Sequence, residues 1–217
     1  LPIIGAKDMM YSFLSYDEEK GFQRSEQHSK RMKNPTYSLL QHTLVLILVL
    51  MTLQVRAIEI ERNGIRFTID NATRSASVSG TDNTLATIVI PSAIEHGGVR
   101  YPVVGIADYA LATADNLREI TIPNSIKSIG EGAFKGCSNL TSIRIPNSVT
   151  SIAGLAFSNC TNLASVYYTG TATEWGKINI DNFNSALTDA TIYYYSETQP
   201  TAAGNYWHYV NGVATPW

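Results

Sequence analysis

Apolar residues recur along the middle of the chain with a period of 23 residues. Residues 120–142 read ITIPNSIKSIGEGAFKGCSNLTS and residues 143–165 read IRIPNSVTSIAGLAFSNCTNLAS, and 13 of the 23 positions are identical. Each copy opens with two isoleucines that alternate with a polar residue and are followed by proline, which predicts a short strand that the proline ends. The remaining apolar positions are expected to face the same core from the return path. Since one unit cannot bury its apolar face alone, the pattern predicts a solenoid of stacked coils.

Weaker copies of this pattern flank the two full repeats. Residues 85–92 match the strand and the Ile-Pro-x-Ser step, but residues 95–103 interrupt the period and contain a Gly-Gly pair, which is a hairpin turn signal. On the other side, residues 166–168 continue the strand pattern and residues 187–195 offer a last strand. The repeats are therefore assigned to residues 85–169.

The segments on either side of the repeats are predicted to cap the solenoid, because an end coil exposes a core that must be covered. Residues 58–84 contain three short runs of alternating character, and an Asn-Gly pair between the first two is typical of a type I′ hairpin turn. Residues 170–217 contain the start of a short helix, with Thr171 or Thr173 as its N-cap. They end in a second hairpin around another Asn-Gly pair.

The N-terminal part of the chain carries the strongest apolar block, LVLILVLMTL at residues 44–53. A membrane-spanning helix needs about 20 apolar residues, so this block is too short. It suits the apolar core of a signal peptide over residues 32–57, with cleavage near Ala57. Residues 1–31 are then interpreted as an upstream, non-native or disordered segment, with a genuine tail and an internal anchor as the alternative. Cleavage predicts a mature protein that is secreted or at the cell surface, without a membrane span.

Composition limits the chemistry of the mature segment. From Ile58 onward, nine Lys and Arg stand against thirteen Asp and Glu, which gives a net charge of −4 and excludes a basic nucleic-acid groove. The sequence contains no H-E-x-x-H, G-x-S-x-G, phosphate-binding loop or C-x-x-C motif. We therefore expect a non-catalytic protein with no metal ligands and no cofactor.

The two cysteines, Cys137 and Cys160, occupy the same position in successive repeats. Equivalent residues on adjacent coils lie about 4.8 Å apart, which is a Cα separation that a disulfide tolerates. Their side chains would run parallel rather than toward each other, which favours two buried thiols. From the sequence, the thiols and the disulfide both remain open.

The two full repeats resemble those of the BspA-like leucine-rich repeat proteins. The resemblance lies in the order Ile-Pro-Asn-Ser, Ser-Ile, Ala-Phe, Cys and Asn-Leu, and it covers roughly residues 65–217. It implies a mainly β fold, namely a short leucine-rich-repeat solenoid with parallel strands, 23-residue coils and β-hairpin caps at both ends. It also implies a secreted or surface-attached protein that acts in adhesion or recognition of host or other cells. Adhesive members often carry long arrays, whereas few repeats are present here.

Strand positions that alternate away from the core are candidates for a ligand-binding face. Five strands at about 4.8 Å spacing would make a sheet about 19 Å wide, which suits a peptide, a glycan or the edge of a protein. The partner is therefore expected to be an extracellular protein or glycan. The alternative is that these residues only keep the sheet soluble. The predicted face comprises Thr87, Glu119, Thr121, Ser142, Arg144, Ser165, Tyr167 and Asp189.

The aromatic residues of the C-terminal hairpin allow a second hypothesis. Aromatic rings stack on the apolar faces of sugars, so Tyr206, Trp207, Tyr209 and Trp217 form an alternative carbohydrate site. The competing interpretation is an apolar lid over the last coil. Three functions follow from the sequence: recognition or adhesion, a purely structural remnant of a longer solenoid, and carbohydrate binding.

Overall fold

The computed structural model describes residues 43–45 and 57–217. Residues 57–217 form a compact unit and are treated by themselves below. The predicted segment 1–31 and the signal peptide 32–57 lie outside the described residues, except for a helical turn at 43–45 and for Ala57. Among the residues that are described, no helix has the length and apolar character needed to cross a bilayer.

Residues 57–217 contain fifteen strands and two helices of a single turn. The helices are α1 (Ala172–Trp175) and α2 (Ser185–Thr188). The strands are β1 (Ile58–Arg62), β2 (Ile65–Asp70), β3 (Ser75–Thr81), β4 (Thr87–Val89), β5 (Ala93–His96), β6 (Val99–Ile106), β7 (Glu119–Thr121), β8 (Ser128–Ile129), β9 (Ser142–Ile145), β10 (Ser151–Ile152), β11 (Ser165–Tyr168), β12 (Asn179–Ile180), β13 (Thr191–Tyr195), β14 (Tyr206–Val210) and β15 (Val213–Pro216).

These strands form two sheets. Sheet A has the order β1-β2-β3-β6-β8-β10-β12, with β5 paired to β6, and sheet B has the order β15-β14-β13-β11-β9-β7-β4. Strands of successive coils pair in parallel in both sheets, so the chain passes from one sheet to the other as it winds. The prediction of a mainly β, parallel-strand solenoid is confirmed.

The strand register reproduces the sequence period. Ser142 pairs with Ser165 in sheet B, 23 residues apart, and the same offset separates β8 from β10 in sheet A. In the first coil the paired residues are Thr87 and Glu119, which are 32 apart. The nine additional residues form most of the hairpin between β5 and β6, where the sequence predicted an interruption.

Side chains from both sheets and from the turns between them meet in one apolar core. Ile143 and Ile145 enter it from β9, and both are buried. Phe134 and Phe157 occupy equivalent positions of successive coils, and their rings stack with centroids 5.0 Å apart. Each buried side chain of this kind contributes about 1.5–3 kcal/mol, which explains why the repeat keeps these residues.

Buried thiols join the turns of successive coils. Cys137 Sγ donates to the backbone oxygen of Leu111 at 3.1 Å, and Cys160 Sγ donates to that of Phe134 at 3.0 Å. Both cysteines are free, so the thiol interpretation is correct and no disulfide joins them. Burial raises the pKa of Cys137 to about 11 and that of Cys160 to about 12, which keeps both thiols protonated as donors.

A buried asparagine ends the ladder of turn hydrogen bonds. In an inner coil the N–H of Phe134 donates to the backbone oxygen of Ala156 in the next coil. At the last coil the side-chain oxygen of Asn184 replaces that carbonyl and accepts from the N–H of Phe157 at 2.9 Å. The Asn184 amide nitrogen also donates to two backbone carbonyls at 2.9 Å each. The side chain therefore satisfies backbone groups that would otherwise be buried without partners.

The N-terminal meander extends sheet A beyond the first coil. Strands β1, β2 and β3 are antiparallel to one another, and β3 then pairs in parallel with β6. Asn63 and Gly64 have φ of 53° and 75°, as the predicted type I′ turn requires. Phe67 and Val78 from this meander are buried in the core.

The C-terminal segment begins with α1 and ends with a hairpin. Thr171 is the N-cap of α1 and forms a capping box with Glu174, so the first of the two predicted caps is the correct one. After α2, strand β13 adds to sheet B, β14 pairs in parallel with the end of β13, and β15 returns antiparallel. Asn211 and Gly212 form the turn, with φ of 51° and 81°.

Candidate ligand-binding face

The outward side chains of sheet B lie in two rows that cross the strands. One row starts at Thr87 on β4, and the other starts two residues later at Val89. Seven of the eight predicted face residues lie in these rows. The first row consists of Thr87, Glu119, Ser142, Ser165 and Thr191, and the second of Val89, Thr121, Arg144, Tyr167 and Tyr193.

The placement of Asp189 on this face was wrong. Asp189 is the C-cap of α2, and it lines a separate surface cavity with Asn159 and Ser185. The reason is the length of the last coil, in which Ser165 pairs with Thr191 across 26 residues instead of 23. This coil carries α1 and α2 where the earlier coils have tighter turns, so the strand position falls on Thr191.

The C-terminal hairpin, residues 206–217, packs across part of this outer face. Trp207 anchors it, since its side chain is 0% exposed and its Nε1 donates to the backbone oxygen of Tyr168 at 2.8 Å. The indole lies edge-on to the rings of Tyr167, Tyr195 and Tyr209, with centroid distances of 5.7, 5.1 and 4.9 Å. The outward Tyr167 therefore contacts a neighbouring segment of the chain.

Arg144 connects the sheet to the hairpin. Its Nη1 donates to the hydroxyl oxygen of Tyr209, and its guanidinium carbon lies 5.7 Å from the centre of that ring. Among residues 43–45 and 57–217, no carboxylate oxygen lies within 4.0 Å of this guanidinium. Arg144 is thus a half-buried cation that is held in place by a phenol and forms no ion pair with a described residue.

Two cavities share Arg144. The smaller, of about 310 Å³, lies between the sheet and the tip of the hairpin. The larger, of about 620 Å³, is bounded by the ends of the strands and by the hairpin tyrosines. The smaller is lined by Glu119, Ile120, Thr121, Ser142, Arg144, Tyr167, Gly212, Val213 and Ala214. The larger is lined by Thr121, Ile122, Pro123, Asn124, Arg144, Asn147, Thr169, Tyr195 and Tyr209.

The structure brings five predicted face residues together in the smaller cavity and leaves two outside it. Glu119, Thr121, Ser142, Arg144 and Tyr167 come from three adjacent strands. Thr87 and Ser165 lie in the same row of the sheet but do not line either cavity. The sequence predicted an open face of outward side chains, whereas the structure has a recess there, with the hairpin forming one wall.

Several lining residues were not predicted from the sequence. The hairpin tip, Gly212 to Ala214, joins the smaller cavity through contacts far apart in the chain, for which the sequence carries no signal. Asn124 and Asn147 line the larger cavity, and both belong to the repeated Ile-Pro-Asn-Ser step. Because they are exposed and make no side-chain hydrogen bond within the described ranges, their repetition was an available signal of a surface role.

The charges of the two cavities differ. The smaller contains Glu119 and Arg144, whereas Arg144 is the one charged side chain that lines the larger. Burial raises the pKa of Tyr167, so its hydroxyl stays neutral at physiological pH. In the described part of the chain, no three His, Cys, Asp or Glu side chains come together in a way that could hold a metal ion.

The aromatic residues of the alternative carbohydrate site lie apart from one another. Trp207 is buried against the sheet and has no ring face available to a sugar, so its assignment to that site was wrong. Trp217 is 45% exposed, but its ring stacks on His208 at 3.7 Å and its Nε1 donates to Ser196. Tyr206 is half-buried and Tyr209 is exposed.

A family model named BspA type leucine rich repeat region matches residues 104–198 in six copies. No curated protein matches the chain. A leucine-rich repeat protein from Bacteroides capillosus shares the fold, with 21% identity and a TM-score of 0.52 over 63% of this chain and 97% of that one.

Two further solved structures resemble the chain more loosely. A leucine-rich repeat protein from Bacteroides ovatus is 25% identical with a TM-score of 0.46, over 62% of this chain and 37% of that one. The T. pallidum leucine-rich repeat protein is 19% identical with a TM-score of 0.47, over 64% and 72%. With the coils, the register and the family match in agreement, residues 104–198 form a BspA-type leucine-rich repeat region.

Proposed function

We propose that this protein is a non-catalytic recognition module that acts outside the cytoplasm and binds an extracellular protein through the outer face of sheet B. The observation that carries the proposal is the cavity in which Glu119, Arg144 and Tyr167, from three adjacent strands, meet the tip of the C-terminal hairpin. A leucine-rich repeat protein of this type has a protein-interaction or surface-type role. The specific role that we propose is adhesion to host or other cells.

The pattern of repeat identity supports recognition. Between the two full repeats the inward Ile143 and Phe157 match their counterparts, whereas outward Thr121 is replaced by Arg144 and Lys127 by Thr150. The two coils therefore present different charges on their outward surfaces. The scaffold is thus constant, and the surface chemistry is specific to each coil.

The size of the face sets the kind of partner. The five strands that the coils contribute to sheet B, β4, β7, β9, β11 and β13, span about 19 Å at about 4.8 Å spacing, and the hairpin covers part of that width. A standard protein interface needs about 800 Å² on each side, so this face fits a peptide segment or a protein edge. Many copies on one surface would add avidity to weak single contacts.

Export is part of the proposal. It rests on the apolar block at residues 44–53 and on the small residues before Ile58. Sequencing the N-terminus of the protein recovered from outside the cell tests it directly. A first residue near Ile58 is expected, and an N-terminus well before this position would contradict cleavage near Ala57.

The binding face is tested with a charge reversal. Glu119→Lys changes the smaller cavity without touching the hairpin anchor, so it should weaken capture of extracellular matrix proteins by the immobilised full chain. Glu59→Lys on β1 is the matched control, because Glu59 is also an exposed strand carboxylate but lies in sheet A. Equal capture by both variants would remove this face from the proposal, and capture of glycans in place of proteins would favour the carbohydrate alternative. Normal export with no capture of either would favour a structural solenoid.

A further inference from the structure

We propose that Arg144, together with Asn124 and Asn147, forms a carboxylate-binding subsite that takes an acidic side chain of an extended peptide segment. The proposal rests on the function proposed above and names the chemistry that the larger cavity recognises. The three side chains line this cavity, which has a volume of about 620 Å³. That volume falls in the range of ordinary ligand sites.

The first step is the unpaired charge of Arg144. A guanidinium carries five N–H donors in a planar fork, and one of them is used by the Tyr209 hydroxyl. Within the described residues the others have no protein acceptor, and no carboxylate lies within 4.0 Å. A carboxylate matches this fork with two parallel hydrogen bonds, which makes it the complementary ligand group.

The second step is that the contact with Tyr209 holds the guanidinium at the cavity. Arginine side chains lose considerable rotamer freedom when they bind, and that loss weakens affinity. Here the hydrogen bond to Tyr209, with the ring 5.7 Å from the guanidinium carbon, has already restricted the side chain. Arg144 is therefore oriented before a ligand arrives.

The third step is the pair of asparagines beside this cation. Asn124 and Asn147 are 23 residues apart and occupy equivalent positions of neighbouring coils, hence about 4.8 Å from each other. Both are exposed, and neither side-chain amide has a partner among residues 43–45 and 57–217. Each amide offers a donor and an acceptor, the pair of groups that a peptide unit presents. The two amides thus fit a backbone that carries the acidic side chain.

The aromatic residues favour a peptide over an acidic sugar. Tyr209 packs against Trp207 and Tyr195, with centroid distances of 4.9 and 5.9 Å, and it also contacts Arg144. The ring centroid of Tyr195 in turn lies 5.1 Å from that of Trp207. These contacts cover part of each ring, whereas sugar recognition by stacking needs a free ring face. The unused groups of the cavity are amide and guanidinium donors, which suit carboxylates and peptide units.

The test is an NMR titration of the isotope-labelled full chain with an acetylated and amidated pentapeptide, GSESG. Its glutamine counterpart, GSQSG, is the neutral control. We expect the glutamate peptide to shift the Arg144 Nε–H and the Asn124 and Asn147 amide resonances, with at least about tenfold higher affinity than the glutamine peptide. Glucuronic acid and N-acetylneuraminic acid are titrated in parallel.

Variants assign the effect to named groups. Arg144→Gln should lower peptide affinity by about tenfold or more, and Arg144→Lys should fall between it and the wild type, because lysine keeps the charge without the planar fork. Arg100→Gln is the matched control, since Arg100 is an exposed arginine on β6 that lines neither cavity. Wild-type hydrogen-exchange protection of β14 in each variant shows that the hairpin stays in place.

Four outcomes would overturn the subsite. They are equal binding of both peptides, equal affinity of the Arg144→Gln and Arg100→Gln variants, binding of the sugar acids without the peptide, and no response to any ligand. The proposed function is judged separately by partner capture and the Glu119→Lys variant. If the glutamate peptide binds through Arg144 but no matrix protein is captured, the carboxylate subsite is supported and the proposal that the partner is an extracellular protein is rejected. If capture of a matrix protein depends on Glu119 but not on Arg144, the proposed function is supported and the carboxylate subsite is rejected.

Discussion

Replacing Trp207 with alanine should release the C-terminal hairpin from sheet B and leave the coils folded. Trp207 is the one buried residue between positions 206 and 217, and every other side chain there is exposed or half-buried. Its indole contacts Tyr167, Tyr195 and Tyr209, and its Nε1 donates to the Tyr168 carbonyl. Trp207 therefore supplies the one fully buried side chain in the docking of the hairpin.

The magnitude follows from what that side chain buries. A fully buried tryptophan removes about 200 Å² from water, which at about 25 cal/mol per Å² is worth about 5 kcal/mol, and its hydrogen bond adds about 1 kcal/mol. Measured tryptophan truncations cost about 3–5 kcal/mol, because surroundings relax. We expect about 4 kcal/mol to be lost from hairpin docking.

Amide hydrogen exchange, read residue by residue, is the assay. Protection of β14 should fall by at least about a hundredfold in Trp207→Ala, while protection of β9 and β11 should stay at the wild-type level, because the hairpin opens as a local unit. Trp217→Ala is the control, since Trp217 is 45% exposed and its loss should cost less than about 1 kcal/mol. Equal effects of the two substitutions would refute the anchoring role, and loss of protection throughout sheet B would show that the hairpin is not a separate unit.

Four further predictions concern the scaffold. Asn184→Ala should lower the free energy of unfolding by about 2–4 kcal/mol, because the buried N–H of Phe157 and two part-buried backbone carbonyls lose their hydrogen bonds, whereas exposed Asn179→Ala should change it by less than about 0.5 kcal/mol in urea denaturation. Phe134→Ala should cost about 3–5 kcal/mol by the same measurement, while Phe183→Ala, at a residue that is 73% exposed, should be nearly neutral. The folded thiols should resist a disulfide reagent at about pH 8 and react after denaturation. Because burial raises their pKa from 9.0 to about 11 and about 12, the unfolded chain loses these protons first. Wild-type stability should therefore decline above pH 9, relative to a Cys137→Ala, Cys160→Ala double variant, and remain level below it.

Much of the solenoid was predictable because its determinants are local or recur once in each full repeat. The alternation of Ile143 and Ile145 fixes which face of a strand is inward, and the proline after it fixes where the strand ends. The turns at Asn63 and Asn211 were predictable because Asn-Gly pairs favour the positive φ that a type I′ turn requires, and both asparagines adopt it. Thr171 was identifiable as a cap from its own neighbours. None of these features needs knowledge of distant contacts.

The position of the hairpin was not predictable, since its contacts join distant parts of the chain. The Trp207 indole binds a carbonyl 39 residues earlier, and Tyr209 meets Arg144 across 65 residues. An Asn-Gly pair with flanking aromatics specifies a hairpin but not the surface on which it lies. The misplacement of Asp189 has a related cause, because the longer last coil carries two helical turns that break the 23-residue count.

The hairpin reaches back over a fixed number of strands, and this makes coil number a determinant of ligand choice. Tyr209 docks on β9, which is two strands before β13, and the tip lies by β7. Deleting residues 143–165 removes one full repeat and joins Ser142 to Val166, which follows the equivalent Ser165. The strand register, the core and both caps would therefore be kept. Thr121 would then take the place of Arg144 beneath Tyr209, and the recess would lose its guanidinium group. Gain or loss of a single coil in such proteins therefore exchanges one recognition surface for another in one genetic step, without any point mutation at the site.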